Sequence, residues 1–291
     1  MAPPQTYTLT ISCPDRVGIV AAVSTFIAER GGWIVEANHH ADQATRRFFM
    51  RNVLLARSLQ ERALGLAAFR DEFAPIASAF AMQWSITDSA VKKRVVILVS
   101  RYDHCLVDLL YRHKAGELDC TLACVIANHA ALRGYVEWHG LPYHHVPVPA
   151  DAAGKTSAFA EIERIFGENA GDVMVLARFM QILPPALCAR YPGRIINIHH
   201  SFLPGFVGAR PYHQAFARGV KLIGATSHYV TADLDAGPII EQDVVRIDHG
   251  DSEEDLVRYG RDIERSVLAR ALKYHLEDRV LLNGSKTVVF R

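Results

Sequence analysis

Asn197, His199 and Asp235 are the residues of this chain whose types and spacing suit acyl-transfer chemistry. The first two lie two positions apart in RIINIHH (194–200), an apolar run that reads as a strand ending in a loop. Residues i and i+2 of a strand face one side, so the carboxamide and the imidazole project together while His200 points away. Asp235 stands just before a Gly-Pro turn signal in LDAGPII (234–240), between two further strand-like runs. An amide N–H can receive an oxyanion, an imidazole can carry a proton, and a carboxylate can orient the imidazole. Buried polar groups find partners in any fold, so each of the three taken alone reads as a hydrogen-bonding group. Ser201 lacks the G-x-S-x-G surroundings of an acyl-enzyme nucleophile.

The elements that must hold these groups follow from pattern and composition. With 291 residues, half of them hydrophobic and 22% charged, the chain has material for two ordinary domains with substantial cores. The net charge of +1 gives no reason to expect nucleic acid or an acidic membrane as partner. No apolar run approaches the ~20 residues of a membrane span, and the start MAPPQTYTLT has no apolar signal core. A cytoplasmic location is expected. The five cysteines are odd in number and scattered; Cys120 and Cys124 without a second ligand pair are weak grounds for zinc, and buried reduced thiols are the plainer reading. No metal is expected.

Residues 7–12 read as a strand, with Pro14 and Asp15 offering a turn and a helix N-cap. Ile19, Val20, Val23, Phe26 and Ile27 follow at helical spacing and Gly31-Gly32 end the helix. Strands are expected around 33–41 and 46–55, a helix over about 59–73 that breaks before Pro75, and a last strand at 81–87. This β-α-β-β-α-β order describes a ferredoxin-like domain over 1–88. The polar stretch DSAVKK (88–93) reads as a linker to a second domain over 94–291. There VVILVS (95–100) is continuous and apolar, as in a parallel strand covered on both faces. Further strands near 119–127, 172–177, 194–199 and 222–230 alternate with helices, which predicts a doubly wound, Rossmann-like α/β sheet. A final helix from Ser252 has Asp255 three residues on, close to a capping box.

Residues 95–285 resemble the folate-dependent formyltransferase domain, whose signature pairs an N-x-H strand end with a D-x-G loop, here 36 positions apart from His199 to Asp235. The run HHSFLPGFVGARPYHQAFARGVKLIGATSHYV (199–230) is similar to its hydrolytic branch, the 10-formyltetrahydrofolate deformylases. Residues 7–87 resemble an ACT domain through CPDRVGIVAAV (13–23). The resemblance implies that Asn197, His199 and Asp235 are catalytic as a set, and that His200 either tunes the site or caps its loop. It also implies folate contacts for Met180, Gln181, Ile182 and Leu183 in LARFMQIL (176–183), whose apolar residues otherwise read as core, with Val230 on the far wall. Many of the transferases carry a basic residue where Gln181 stands. The loop 204–212 is expected to cover the reacting group.

One absence bears on the acceptor. The turn SRYDHCLVDLL (100–110) contains no glycine where transformylases that use glycinamide ribonucleotide have a Gly-rich, phosphate-binding turn, and Asp103 adds a negative charge. Water is then the simplest acceptor, with no cofactor beyond the folate substrate. The alternatives are formyl transfer to an amine, and a folate or amino-acid sensor without catalysis. For the ACT-like segment, Asp15 and Gly18 read either as a cap and a packing position or as an amino-acid effector site at a helix N-terminus. Modules of this kind serve assembly as well as binding, and a homo-oligomer is expected.

Overall fold

The computed structural model describes residues 4–61, 65–205 and 211–291. The chain folds into two compact units. The first consists of Met1–Lys92 together with Glu277–Asn283 and Val288–Arg291. It runs β1 (Thr6–Pro14), α1 (Ile19–Glu29), β2 (Ile34–Asp42), β3 (Arg47–Leu55), α2 (Ala56–Gln60), α3 (Leu66–Ala79) and β4 (Gln83–Asp88). The strands pair antiparallel in the order β2-β3-β1-β4. β1 buries every second residue, and Tyr7, Leu9, Ile11 and Cys13 face the core. α1 adds Ile19, Val23, Phe26 and Ile27, and α3 adds Phe69, Phe73 and Ala77. Phe26 meets Phe69 edge-on at 5.2 Å, and Phe73 meets Trp84 at 4.8 Å.

Three details of this unit depart from the sequence expectation. Gly18, at φ 95°, is the N-cap of α1, and Asp15 makes no side-chain cap; its backbone N–H bonds Arg46 O instead. The helix expected over 59–73 is divided into α2 and α3, and α3 continues through Pro75 to Ala79. A proline costs a helix its bond to residue i−4, but the buried stripe Phe69, Phe73 and Ala77 spans it and outweighs that loss. Lastly, the expected second domain ended at 291, whereas the last stretch groups with the first unit. Leu281 and Phe290 pack with Phe49, Arg51 donates to Glu277 O, and Asn283 donates to Asp42.

The second unit, Lys93–Leu276 and Gly284–Thr287, contains the strands β5 (Arg94–Val99), β6 (Thr121–Ala127), β7 (Tyr143–His145), β8 (Val173–Ala177), β9 (Ile195–His199), β10 (Leu222–Tyr229) and β11 (Ile239–Arg246). Their order is β11-β10-β9-β8-β5-β6-β7. β5 to β9 are parallel; β10 runs antiparallel to both β9 and β11. The helices are α4 (His104–Lys114), α5 (Arg133–Trp138), α6 (Ala152–Glu168), α7 (Pro185–Arg190), α8 (Pro211–Arg218) and α9 (Glu253–Leu276). Val95–Val99 and Val173–Ala177 are buried throughout, as strands covered on both faces must be. Ser252 and Asp255 exchange hydrogen bonds between side chain and backbone N–H, closing the capping box at the start of α9. The three-residue β7 went unread in the sequence because so short a run has no periodicity. In doubly wound sheets, ligands lie beyond the carboxyl ends of the parallel strands. β8 and β9 place their ends there side by side.

Candidate active site

His199 is the last residue of β9, and Asn197 lies two before it. The antiparallel pairing with β10 sets Thr226 opposite His199 and His228 opposite Asn197. Two side chains thereby meet Asp235, which the loop after β10 brings back. His199 Nδ1 is 3.3 Å from Asp235 Oδ1, and His228 Nε2 is 3.8 Å from the same oxygen. Asn197 Nδ2 lies 3.2 Å from His228 Nε2, while His228 Nδ1 is 2.9 Å from Tyr229 O. A carbonyl only accepts, so His228 carries its proton on Nδ1 and its Nε2 accepts from the Asn197 amide. By the same logic His199 donates Nδ1–H to the carboxylate and turns a lone pair on Nε2 to the other side. The Asp235 loop packs tightly: a Cβ on Gly237 would lie 1.8 Å from Tyr229 O, so only glycine fits. Asp235 itself holds φ 54°, a conformation unusual for a non-glycine residue.

Electrostatics sort the roles. The hydrogen bond from His199 outweighs burial and holds the Asp235 carboxyl below the usual range. Burial pushes His228 down, keeping it neutral. His200, next in sequence, turns to Tyr212 at 6.2 Å between ring centroids. Burial, followed by the Arg178 charge, lowers its pKa to about 3. A group that protonates only in the unfolded chain takes stability away as the pH falls. The His200 contribution is therefore complete above pH 6.5 and is lost progressively between 6.5 and about 3. Urea unfolding at pH 7 and pH 5 should reveal a loss of about 2 kcal/mol from this group. His200→Gln should flatten that slope, and an equal slope in the variant would contradict the assignment.

Gln181, Ile182, Leu183 and Val230 line one cleft together with Asn197 and Asp235. Met180, half-exposed at φ 60°, does not line it. His200 borders a separate, largely apolar cavity of ≈ 400 Å³ with Tyr212 and Phe202. Of the loop expected to cover the reacting group, residues 206–210 lie outside the described residues.

Sequence reasoning missed His228 and a buried ionic cluster. The alternation in ATSHY places Thr226 and His228 on one face of a strand, but only the β9–β10 register sets His228 against Asn197. Glu264 on α9, 1% exposed, bonds His104 Nε2 at 2.8 Å and accepts from Tyr212 OH at 2.7 Å. Arg178 Nε stands 3.4 Å from it. Burial pushes the Glu264 carboxyl up, but the His104 hydrogen bond and the Arg178 charge bring it below its ordinary value. His104, Cys105 and Glu264 are spaced closely enough for a metal ion. The donor set fits an ion pair better: Arg178 already balances the carboxylate, and burial holds the Cys105 thiol far above its ordinary pKa.

The chain matches the formyl transferase family over residues 93–272. It is 49% identical to the formyltetrahydrofolate deformylase of Bacillus subtilis, a likeness covering 97% of this chain and 93% of that protein. The chain belongs to the formyltetrahydrofolate deformylase family. Solved structures of family members superpose over nearly its whole length. That of Pseudomonas syringae pv. tomato gives a TM-score of 0.96 at 60% identity, covering 99% of this chain and 95% of that one. The Burkholderia mallei deformylase gives 0.92 at 48%, covering 99% and 100%. Both units of this family member, antiparallel sheet and doubly wound sheet, lie within that likeness.

Proposed function

We propose that this chain hydrolyses 10-formyltetrahydrofolate to tetrahydrofolate and formate, with Asn197, His199 and Asp235 carrying the chemistry. Near-full-length likeness to formyltetrahydrofolate deformylases carries the reading; Asn197 and Asp235 line one cleft and His199 Nδ1 lies 3.3 Å from Asp235, which supports the roles. Water attacks the formyl carbon. The second N–H of the Asn197 amide, free of His228, receives the charge that develops on the formyl oxygen. His199 takes a proton from water on Nε2 and gives it to N10 as the carbon–nitrogen bond breaks, while Asp235 fixes the ring and favours its cationic form. N10 is attached to an aromatic ring and departs more easily than an ordinary amide nitrogen, so no covalent intermediate is needed. The side chains present supply this chemistry without a metal. Gln181, Ile182, Leu183 and Val230 take the pterin; Met180 and His200, outside that cleft, belong to its surroundings.

The antiparallel unit is proposed to take an amino-acid effector near Asp15 and Gly18, at the N-terminus of α1, and to pair copies of the chain. None of the described helices is long and apolar enough to cross a membrane, which accords with a cytoplasmic place. The deciding experiment gives the purified chain 10-formyltetrahydrofolate alone and follows formate. Steady release without an amine is the expected result. Release that begins only when an amine acceptor is added would mark a transferase, and folate binding without release a sensor.

A further inference from the structure

Among the described residues, three buried nitrogens at the adjoining carboxyl ends of β8 and β9 have no hydrogen-bond partner: Arg178 Nε, Arg178 Nη1 and His199 Nε2. The strands are parallel neighbours, with Leu176 opposite Asn197, so residues two further along each chain leave the sheet side by side. His200 stands within the electrostatic reach of both Arg178 and His199. Arg178 is 8% exposed and holds φ 62°. A non-glycine side chain held there is strained, and such strain persists where the surroundings fix it for a purpose.

The direction of each orphaned group limits what can satisfy it. Arg178 only donates. Its Nε faces Glu264 Oε2 at 3.4 Å, a charge contact without hydrogen-bond geometry, and Nη1 has no hydrogen-bond partner among the described residues. His199 donates Nδ1–H to Asp235, so its Nε2 accepts. An anion could serve Arg178 but not the Nε2 lone pair, and the guanidinium charge is already balanced by Glu264. Water meets both demands, since it accepts from Arg178 and donates to His199. Buried polar groups without protein partners are ordinarily satisfied in this way.

We propose that Arg178 and His199 Nε2 hold one water molecule between them, and that this is the water that attacks the formyl carbon. Arg178 fixes its oxygen and His199 receives its proton. The oxygen forms the bond to the formyl carbon, the C–N10 bond breaks, and the proton passes from His199 to N10. The formic acid formed ionises to formate. Arg178 is thus the residue that positions water in the hydrolysis proposed above, on which this inference rests.

Arg178→Ala would strand the buried Glu264 carboxylate and can fail through folding alone. The decisive variant is R178M/E264Q, which removes both charges at nearly constant volume. Its thermal midpoint should stay near the wild-type value, and KM for 10-formyltetrahydrofolate should stay within a few-fold, while kcat falls about 10²–10³-fold. Added guanidinium ion should restore part of the kcat of Arg178→Ala, since it can refill the emptied donor site. A well-folded R178M/E264Q with near-wild-type kcat would overturn the inference while leaving the hydrolytic reading intact. So would a loss confined to KM, which would make Arg178 a folate contact. Wild-type protein that releases no formate would sink the hydrolytic reading first, and this one with it.

Discussion

Replacing His199 by alanine should lower kcat by about 10²–10⁴-fold while the thermal midpoint and folate affinity change little. The imidazole is 5% exposed, so its loss leaves a small cavity at a strand end, not a breach in the core. What disappears is the group proposed to exchange a proton with both water and N10. Asp235→Asn tests the orienting partner. The carboxylate accepts the Nδ1 proton at 3.3 Å; an amide can present N–H there instead and turn the ring to the opposite tautomer, with its proton on Nε2. That variant should also lose about 10²-fold or more, because Nε2 would no longer be basic. The double variant should be scarcely worse than His199→Ala alone, since residues acting as one unit are strongly non-additive. Single-turnover formate release with saturating substrate is the measurement. Losses below tenfold in both folded single variants would remove the assignment. The Asp235 carboxyl is held below its ordinary pKa, so its bond to His199 persists as pH falls and fails only once the pH crosses that lowered value.

What the sequence made legible and what it withheld divide along a physical line. Features carried by local pattern came through: the alternation of β1, the stripe of α1, the buried run of β5, the capping box at Ser252. Asn197 and His199 share a strand end, and Asp235 sits in a tight loop, so their closeness in space was readable from spacing and resemblance together. Features that depend on register or long-range charge were not. His228 reaches Asn197 only because β10 pairs antiparallel with β9 at one particular register. Glu264 looked like one more acid on a charged helix, although its partners lie 160, 86 and 52 positions away at His104, Arg178 and Tyr212. The path of residues 277–291 was equally hidden. Leu281 and Phe290 are ordinary apolar residues until Phe49 is seen to receive them.

Glu264→Ala should destabilise the protein by about 3–5 kcal/mol, because deleting one member of a buried ionic cluster leaves its partners without compensation. Arg178 already has two unpartnered nitrogens, and its guanidinium would lose the only carboxylate beside it among the described residues. Tyr212 would lose its acceptor in a seat built for it: a Cβ on Gly260, one helical turn before Glu264, would meet the tyrosine ring at 2.1 Å. Domains are stable by only ~5–15 kcal/mol in total, so urea midpoints should show the loss clearly at pH 7. Acid titration separates this carboxylate from His200. Glu264 is held below its ordinary 4.5, so its contribution is complete above that value and disappears as pH falls through the lowered one. The His200 contribution is already declining from pH 6.5. A wild-type stability curve with two acid limbs, of which Glu264→Gln removes only the lower, is expected. In R178M/E264Q neither charge remains to be stranded, and most of the stability lost in Glu264→Ala should return. A Glu264→Ala variant weakened by under 1 kcal/mol would mean that water already screens the cluster, contrary to its burial.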